Sequence, residues 1–546
     1  MKFIKVLINS IIAGYLFSIL LSLLIIDLNL YLVLDLSFLL KVSIFIFIIY
    51  GSLVILLLIF SFFVYNFFSA KKIDIAFPSP SFLILSFSFL FLIFAEIFWA
   101  NYKYYQSFFN QTIDSIIHKQ IAVIIFLGVA GIIFYFLYYS YRRKKVFFIT
   151  YFLLFSLLFP FIFIWRNDYP YFSERKEVAH FKAKKLDKKV IIIGFEGSSF
   201  DFIIPLISEG KLPNFAWLMD KGSWGALKNL TPCEPITYHA SFKKGKYPAK
   251  HFQFSSYFYQ LDKIEPAINI VPRYIFIRQL EKVGLLKVSS SSPRDRTKGI
   301  LEILKENGTI TVDHSWPREE IVNQNPQKTF ELFSLFFEDL LNNKNWKAKL
   351  VKKAFYQDNF NEEYSYKLKN DLTPYLFYLF LNGLNKIKPY LYKYSRPELF
   401  GNVNQEDVIR YGKIIEKYYQ YYDQIVGKYL SSLKENELLI IYSPHGVEPL
   451  PLWKRFIEWG LGNKELSAYY DSAPDGVIFF YGSSIARGKN IEEIKLVDLA
   501  PTILYYFGLP IGKDMDGVVV TSIFKEEFTA ENPIFYISSY DEILIR

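Results

Sequence analysis

Long apolar runs occupy the chain before residue 166, and a mixed pattern of charged and apolar residues follows. A helix needs about 20 residues, at about 1.5 Å each, to cross about 30 Å of hydrocarbon. The first of the long runs has no small-residue cleavage site after it, so we predict that it stays attached. We predict a transmembrane domain over residues 1–166, with helices near 6–28, 40–66, 81–101, 121–140 and 146–165.

The pattern changes after the last of these helices. Residues 167–187 are charged and have no sustained apolar period, which indicates a linker. The run VIIIGF at 190–195 is continuous and β-branched, as in a strand that is buried on both faces of a parallel sheet. Similar runs, ELLIIY and GVIFFYG, alternate with stretches of helical apolar spacing, which predicts an α/β domain over 188–546 with a mostly parallel central sheet. Residues 252–376 fit no simple alternation, and we interpret them as an inserted cap region.

Basic residues in the short loops predict the orientation of the helices. Such residues favour the cytoplasmic side of a membrane. Here they fall on alternate loops, so an odd number of crossings places the N-terminus in the cytoplasm and the α/β domain outside the cell membrane. The residues concerned are Lys2, Lys5, Lys71, Lys72, Arg142, Arg143, Lys144 and Lys145.

The net charge of +10 does not require a nucleic-acid partner. Much of the excess lies in the predicted cytoplasmic loops and in the basic stretch 182–189, where positive charge faces anionic lipid headgroups. We therefore predict the lipid bilayer as a partner and no nucleic acid. Cys233 is the only cysteine, which excludes an internal disulfide.

Several segments of the second half carry a recognisable order of motifs. They resemble the type I phosphodiesterase and nucleotide pyrophosphatase branch of the alkaline phosphatase superfamily, whose fold is also sulfatase-like. The segments are KVIIIGFEGSSFD at 189–201, EPITYHASFKKGKYPAKH at 234–251, YLFLNGLNKIKPYLYKY at 378–394, ELLIIYSPHGVEPL at 437–450, SAPDGVIFFYGSSIARG at 472–488 and LVDLAPTILYYFGLPIGKDMDG at 496–517.

The resemblance implies a hydrolase with two zinc ions, held by about six Asp and His ligands, and a Thr or Ser nucleophile. At the matching positions this chain departs from the family. Glu196 replaces a metal-binding Asp, His445 matches a metal-binding His, and the nucleophile position holds proline. The other replacements leave side chains that are poor zinc ligands or none. These degenerate positions are Pro235, Asn385, Pro389, Pro444 and Ser472.

A few residues remain as candidates for chemistry. Thr237 and Cys233 flank the nucleophile position and are weak nucleophile candidates. Glu196, His445 and Asp471 are weak metal ligands, and only six histidines occur in the whole chain. We therefore predict no cofactor, with zinc or manganese as the metal if the protein is active.

Two functions follow from this pattern. The first is a pseudoenzyme at the membrane that binds an envelope lipid, a glycan or another envelope protein, since the scaffold motifs persist while the chemical positions are lost. The second is an active metal-dependent phosphoesterase or phosphotransferase with a rebuilt site. The architecture alone is also similar to that of lipoteichoic acid synthases and phosphoethanolamine transferases.

Overall fold

The computed structural model describes residues 2–32, 35–68, 79–140, 144–168, 172–174, 187–262, 264–273, 277–290, 297–316, 326–470 and 473–545. The chain divides into two compact units. We call the first the membrane unit; it comprises Met1–Ser173, Pro248–Asp295 and Leu544–Arg546. We call the second the sheet unit; it comprises Glu174–Tyr247 and Arg296–Ile543.

The membrane unit contains six long or medium α-helices, and a π-helical segment, Phe47–Gly51, joins the second to the third. The helices are α1 Lys2–Leu28, α2 Leu36–Ile46, α3 Ser52–Phe68, α4 Pro80–Tyr105, α5 Gln111–Ser140 and α6 Lys144–Ile164. Among the residues that the structure describes, they form five stretches that are long and apolar enough to cross a membrane, which confirms the number predicted. These stretches are Phe3–Leu28, Leu36–Phe68, Pro80–Phe108, Gln111–Tyr138 and Val146–Ile164.

The predicted orientation stays a prediction. Lys71, Lys72, Arg142 and Arg143 lie outside the described residues, as do most residues of the predicted linker 167–187. The side chains of three further basic residues are also outside the description, namely Lys2, Lys144 and Lys145.

A buried arginine closes the C-terminal end of α1. The last carbonyl groups of a helix have no partner within the helix. Arg166 Nη2 donates hydrogen bonds to three carbonyl oxygens just beyond this helix, those of Asn29, Leu30 and Leu32, at 3.2, 3.2 and 2.8 Å. Its Nε lies 3.4 Å from Asp27 Oδ1, and both side chains are buried. Arg166 therefore holds the chain as it leaves α1.

Part of the predicted cap region belongs to the membrane unit. Asn29 Oδ1 accepts hydrogen bonds from the backbone N–H groups of Asn269 and Ile270 at 2.9 and 2.8 Å. Asn101 Oδ1 accepts one from Arg273 N at 2.8 Å. This segment contains α10 Pro248–His251, β4 Phe258–Leu261, α11 Ile277–Lys282 and β5 Leu286–Ser289, with β4 and β5 antiparallel. The predicted insertion, 252–376, is thus divided between the two units.

A seven-stranded sheet forms the centre of the sheet unit. Its strands are β2 Lys189–Phe195, β3 Ser223–Lys228, β6 Thr311–His314, β7 Leu376–Leu381, β8 Glu437–His445, β11 Asp475–Tyr481 and β12 Lys489–Lys495. They lie in the order β12-β3-β11-β8-β2-β7-β6. Only β11 runs antiparallel to its described neighbours, so the mostly parallel sheet is confirmed. Strand β6 comes from within the predicted insertion.

Helices cover both faces of this sheet. They are α7 Phe200–Ser208, α8 Pro213–Lys221, α9 Pro235–Lys244, α12 Ile300–Glu306, α13 Pro326–Phe337, α14 Trp346–Leu372, α15 Gly383–Ser395, α16 Gln405–Tyr411, α17 Ile414–Ser431, α18 Leu452–Gly460, α19 Leu499–Tyr506 and α20 Glu526–Glu531. Short strands complete the set: β1 Phe172–Glu174, β9 Glu448–Pro449, β10 Ala468–Tyr469, β13 Ile511–Gly512, β14 Tyr536–Ile537 and β15 Ile543–Ile545.

Alternate side chains of β2 enter two different cores, because successive residues of a strand point to opposite faces. Ile191 and Ile193 pack with helices that include α14, α15 and α17. Val190 and Ile192 pack with α9, α12 and α19. This layering explains why the strand reads as an uninterrupted apolar run in the sequence.

Candidate functional site

Three neighbouring parallel strands end at one edge of the sheet. Strand β2 lies between β8 and β7. Glu196 follows the last residue of β2, Asn382 follows β7, and His445 ends β8. Open α/β sheets bind ligands at the carboxyl ends of their strands. The structure thus brings together Glu196 and His445, which the sequence picked as candidates, and it adds Asn385 from the first turn of α15.

Protein donors occupy one oxygen of the Glu196 carboxylate. Its Oε1 accepts hydrogen bonds from Tyr238 Oη at 2.8 Å and from Asn385 Nδ2 at 3.0 Å. Burial and the adjacent Glu196 carboxylate raise the pKa of Tyr238 well above its usual value. The phenol therefore stays protonated and is the donor of this hydrogen bond. Glu196 itself is 5% exposed. The residue at the position of the family's metal-binding Asp is therefore part of a buried hydrogen-bond network.

His445 lies beside this network at the end of β8. Its Nδ1 lies 2.8 Å from the carbonyl oxygen of Gly446, which only accepts, so Nδ1 carries a hydrogen. Its Nε2 is buried, makes no hydrogen bond to any described residue, and lies 3.5 Å from Glu196 Oε1. When both ring nitrogens are protonated, His445 forms an ion pair with Glu196. The ring also stacks on Tyr470.

The nucleophile position lies at a helix start. Pro235 is the first residue of α9, and Glu234 precedes it as the N-cap residue. Proline is favoured at this position because its fixed backbone angle suits a helix and its missing N–H has no helical partner there. Thr237 and Cys233 are both buried, and each interacts with other groups. The local sequence thus supports a helix start where a relative presents a hydroxyl.

The two remaining prolines also have structural roles. Pro389 lies inside α15, and its carbonyl oxygen accepts hydrogen bonds from the backbone N–H and the hydroxyl of Ser467 at 2.7 and 2.9 Å. Pro444 lies near the end of β8, where pairing with β2 has stopped at Tyr442. A proline is tolerated there because it interrupts no bond to β2. Asp471 and Ser472 lie outside the described residues.

Sequence reasoning overlooked a buried lysine beside the site. Lys388 Nζ donates hydrogen bonds to the Gly197 carbonyl oxygen at 2.7 Å and to Tyr419 Oη at 2.9 Å, and it lies 4.3 Å from the Phe202 ring centre. Burial lowers the pKa of Lys388 to about 7. A signal was present, since Lys388 shares the helical spacing of the buried residues Leu384, Ile387, Leu391 and Tyr392.

A comparison with models of protein families decides the assignment. The model described as type I phosphodiesterase / nucleotide pyrophosphatase matches residues 190–496, more than half of the chain. The protein belongs to this family. The match runs from the second residue of β2 to just past β12 and so spans all seven strands of the central sheet. A comparison with curated proteins gave no significant match.

The described residues of this phosphodiesterase-family protein do not fit a two-zinc centre. Such a centre needs several converging carboxylates and imidazoles. Among the residues described, no group of three or more His, Cys, Asp or Glu side chains is placed to hold an ion. Two other histidines form hydrogen bonds with hydroxyl groups. His239 Nδ1 is 3.0 Å from Tyr378 Oη, and His314 Nδ1 is 2.7 Å from Ser365 Oγ. No reaction step through a zinc pair follows from this arrangement.

The titration of Lys388 leads to a prediction about pH. Its pKa is about 7 in the folded protein against 10.5 when exposed, so the folded state binds fewer protons between these values. Stability therefore rises as pH increases through this window. Between pH 7 and pH 9 we expect the full-length protein to gain about 2 to 3 kcal/mol relative to the Lys388→Met variant. Thermal unfolding of both proteins in detergent at the two pH values measures this, and equal pH slopes would contradict it.

A second buried carboxylate, that of Asp358, holds the start of the helix that carries Asn385. Asp358 of α14 accepts hydrogen bonds from the backbone N–H of Gly383 at 3.0 and 3.2 Å, and from Tyr418 Oη and Tyr422 Oη at 2.8 Å each. Burial raises the pKa of Asp358 to about 6, and the two tyrosine hydrogen bonds oppose this rise. These contacts fix the first turn of α15, which carries Asn385 to Glu196.

The close contact at Gly383 predicts a large loss of stability on adding a methyl group. A Cβ atom there overlaps Tyr418 Oη and Asp358 Oδ2, which hold each other in place. We expect Gly383→Ala to destabilise the sheet unit by about 3 kcal/mol. Gly460→Ala is the control, because no heavy atom lies within 4 Å of its added Cβ. Thermal unfolding of the full chain compares the two variants. Equal melting temperatures would contradict the prediction, because they would show that Tyr418 and Asp358 move aside at little cost.

Proposed function

We propose that the sheet unit is a pseudoenzyme of the phosphodiesterase family that binds a ligand or a partner protein. One observation carries the proposal: the Glu196 carboxylate, at the position of a metal-binding Asp, is engaged by Tyr238 and Asn385. A ligand of a metal ion needs a free oxygen lone pair directed at the ion. In this chain, the Oε1 atom of Glu196 accepts two protein hydrogen bonds.

The replacements around Glu196 support the same proposal. Pro235 has no nucleophilic atom, and Asn385, at the position of a metal-binding Asp, directs its Nδ2 group at Glu196. Lys388 places a buried amine close to this edge, and the protonated form of that amine disfavours a second cation by repulsion. The scaffold around these residues nevertheless keeps the family fold.

The membrane helices suggest where this binding takes place. We propose a multi-pass cell-membrane protein with a cytoplasmic N-terminus and an extracytoplasmic sheet unit, from the distribution of basic residues in the loops. Its partners are then the bilayer and an envelope lipid, glycan or protein, with no nucleic acid and no resident cofactor.

A second candidate function is an active metal-dependent phosphoesterase or phosphotransferase. The specific observation in its favour is the buried Nε2 of His445, 3.5 Å from Glu196 Oε1 and without a hydrogen bond to any described residue. Two ligands of one tetrahedral zinc ion lie roughly 3.4 Å apart. In this reading Glu196, His445 and Asp471 hold one zinc or manganese ion, and Thr237 or Cys233 is the nucleophile.

Metal content and turnover together separate the two functions. The full-length protein is purified in detergent without chelator, its zinc, manganese and iron are measured per chain, and a nitrophenyl phosphodiester is offered as substrate. The pseudoenzyme predicts metal far below one ion per chain and no turnover. Near-stoichiometric metal, with turnover that disappears in Glu196→Ala and His445→Ala, contradicts it. Glu435→Ala is the matched control, because this exposed carboxylate precedes β8 at the opposite edge of the sheet.

A further inference from the structure

Helix α18 turns its apolar face away from the protein. Along Leu452–Gly460, with the residue that follows, six large apolar side chains are each more than half exposed. They are Leu452, Trp453, Phe456, Ile457, Trp459 and Leu461. Among the described helices of the sheet unit, α18 exposes the most large apolar side chains. A surface helix of a water-soluble domain normally buries this face.

The polar side of the same helix faces the protein. Arg455 Nε donates to the Leu450 carbonyl oxygen at 2.6 Å, and its Nη2 donates to that of Leu399 at 3.0 Å. Its guanidinium also lies 4.0 Å from the Phe400 ring centre. Lys454 Nζ lies 3.7 Å from the ring centre of Tyr469. Cationic side chains therefore attach α18 to the sheet unit, and this attachment holds the apolar face outward.

We propose that α18 inserts its apolar face into the surface of the lipid bilayer. Among its described residues the same chain contains five helices able to cross a membrane, so the sheet unit is covalently joined to a segment suited to a bilayer. Trp453 and Trp459 suit the boundary between headgroups and acyl chains, where tryptophan is enriched. Lys464, exposed and 5.3 Å from the Trp459 ring centre, brings positive charge to anionic headgroups. Helices of this kind penetrate about 5–10 Å into the interface.

The size of the helix favours lipid over a protein partner. Nine residues form a helix about 14 Å long and about 10 Å wide. Its six exposed apolar side chains are far fewer than the roughly 20–30 residues that each partner contributes to a stable protein interface. A bilayer needs no complementary shape and covers an isolated apolar helix face directly. The occupant that fits best is therefore lipid.

The insertion of α18 also indicates which class of ligand the candidate site binds, namely lipid headgroups. Leu452 follows His445 by seven residues, and a chain of that length spans at most about 25 Å. With α18 in the interface, the carboxyl edge of the sheet lies within reach of lipid headgroups. This consequence rests on the proposed ligand-binding function, whereas the insertion of α18 does not.

Spin labels on the full-length protein in liposomes test the insertion. The liposomes contain phosphatidylcholine and phosphatidylglycerol, and Cys233→Ala provides a background without cysteine. Phe456→Cys places a label on α18, and Leu335→Cys on α13 places a matched control, since the two side chains are 74% and 71% exposed. We expect the label at 456 to collide more with oxygen than with a water-soluble nickel chelate. The label at 335 should show the reverse preference.

Every other result overturns the proposal. A label at 456 that prefers the nickel chelate shows that α18 faces water. A label that neither reagent reaches shows that protein covers the helix. Spin–spin broadening that disappears when labelled protein is diluted with unlabelled protein identifies that cover as a second copy. Thermal unfolding of each labelled protein reports whether its sheet unit is folded.

Discussion

Replacing Arg166 with methionine is expected to destabilise the membrane unit by about 3–5 kcal/mol, the cost of removing one partner of a buried ion pair. The substitution leaves Asp27 buried without its cation and removes the donor for the carbonyl groups of Asn29, Leu30 and Leu32. Thermal unfolding of the full-length protein in detergent measures the effect. A large drop in the melting temperature is the expected result.

The double variant Asp27→Asn with Arg166→Met is the control for the charge. The amide still accepts the hydrogen bond from Gln120 Nε2, which is 3.1 Å from Asp27 Oδ2, and no unpaired charge stays buried. We expect it to recover a substantial part of the lost stability. Double and single variants that unfold together would show that the lost carbonyl bonds, and not the buried charge, dominate the cost.

Replacing Glu196 with alanine is expected to destabilise the sheet unit by about 3 kcal/mol. The change leaves the Tyr238 hydroxyl and the Asn385 amide without their hydrogen-bond acceptor, inside a buried site. Hydrogen bonds to a charged group contribute about 1.5–3 kcal/mol each, and leaving a buried donor unpaired adds its desolvation cost. Thermal unfolding of the metal-free protein gives the measurement.

Glu196→Gln is the matched variant for this prediction. Its amide oxygen still accepts from Tyr238 and Asn385, so most of the stability should be kept. If the role of Glu196 is structural, the Glu196→Gln protein therefore keeps its stability and the Glu196→Ala protein does not. The opposite pattern, in which both variants unfold normally but lose a bound ion and turnover, would support the rebuilt enzyme site instead.

Much of the fold followed from local patterns. Each membrane helix had to appear as a long apolar run, because the bilayer offers no partner for polar groups. Strands β2 and β8 were recognisable because both faces of a parallel sheet are buried. Strand β6 was not, because Thr311–His314 is short and has no continuous apolar run. It becomes a strand through its pairing with β7.

The candidate site was predictable only in part. Glu196 and His445 follow buried strands, and the motifs around them fixed their place in the family pattern. Tyr238 and Asp358 gave no comparable signal, and Lys388 gave only its place on the apolar face of α15, because tyrosine, lysine and aspartate are ordinary in amphipathic helices. Their roles depend on burial, which a single sequence shows only as a face of a helix.

The amino-acid sequence alone determined the two-part architecture and the family scaffold, since these depend on local periodicity and on residue identity. The tertiary structure decided which side chains meet at the candidate site. The two hydrogen bonds to Glu196 join residues 42 and 189 positions apart, a separation at which no sequence period operates. Likewise, the outward face of α18 is set by the contacts of Arg455 with Leu399 and Phe400, because amphipathic spacing specifies a face and not the side on which it packs.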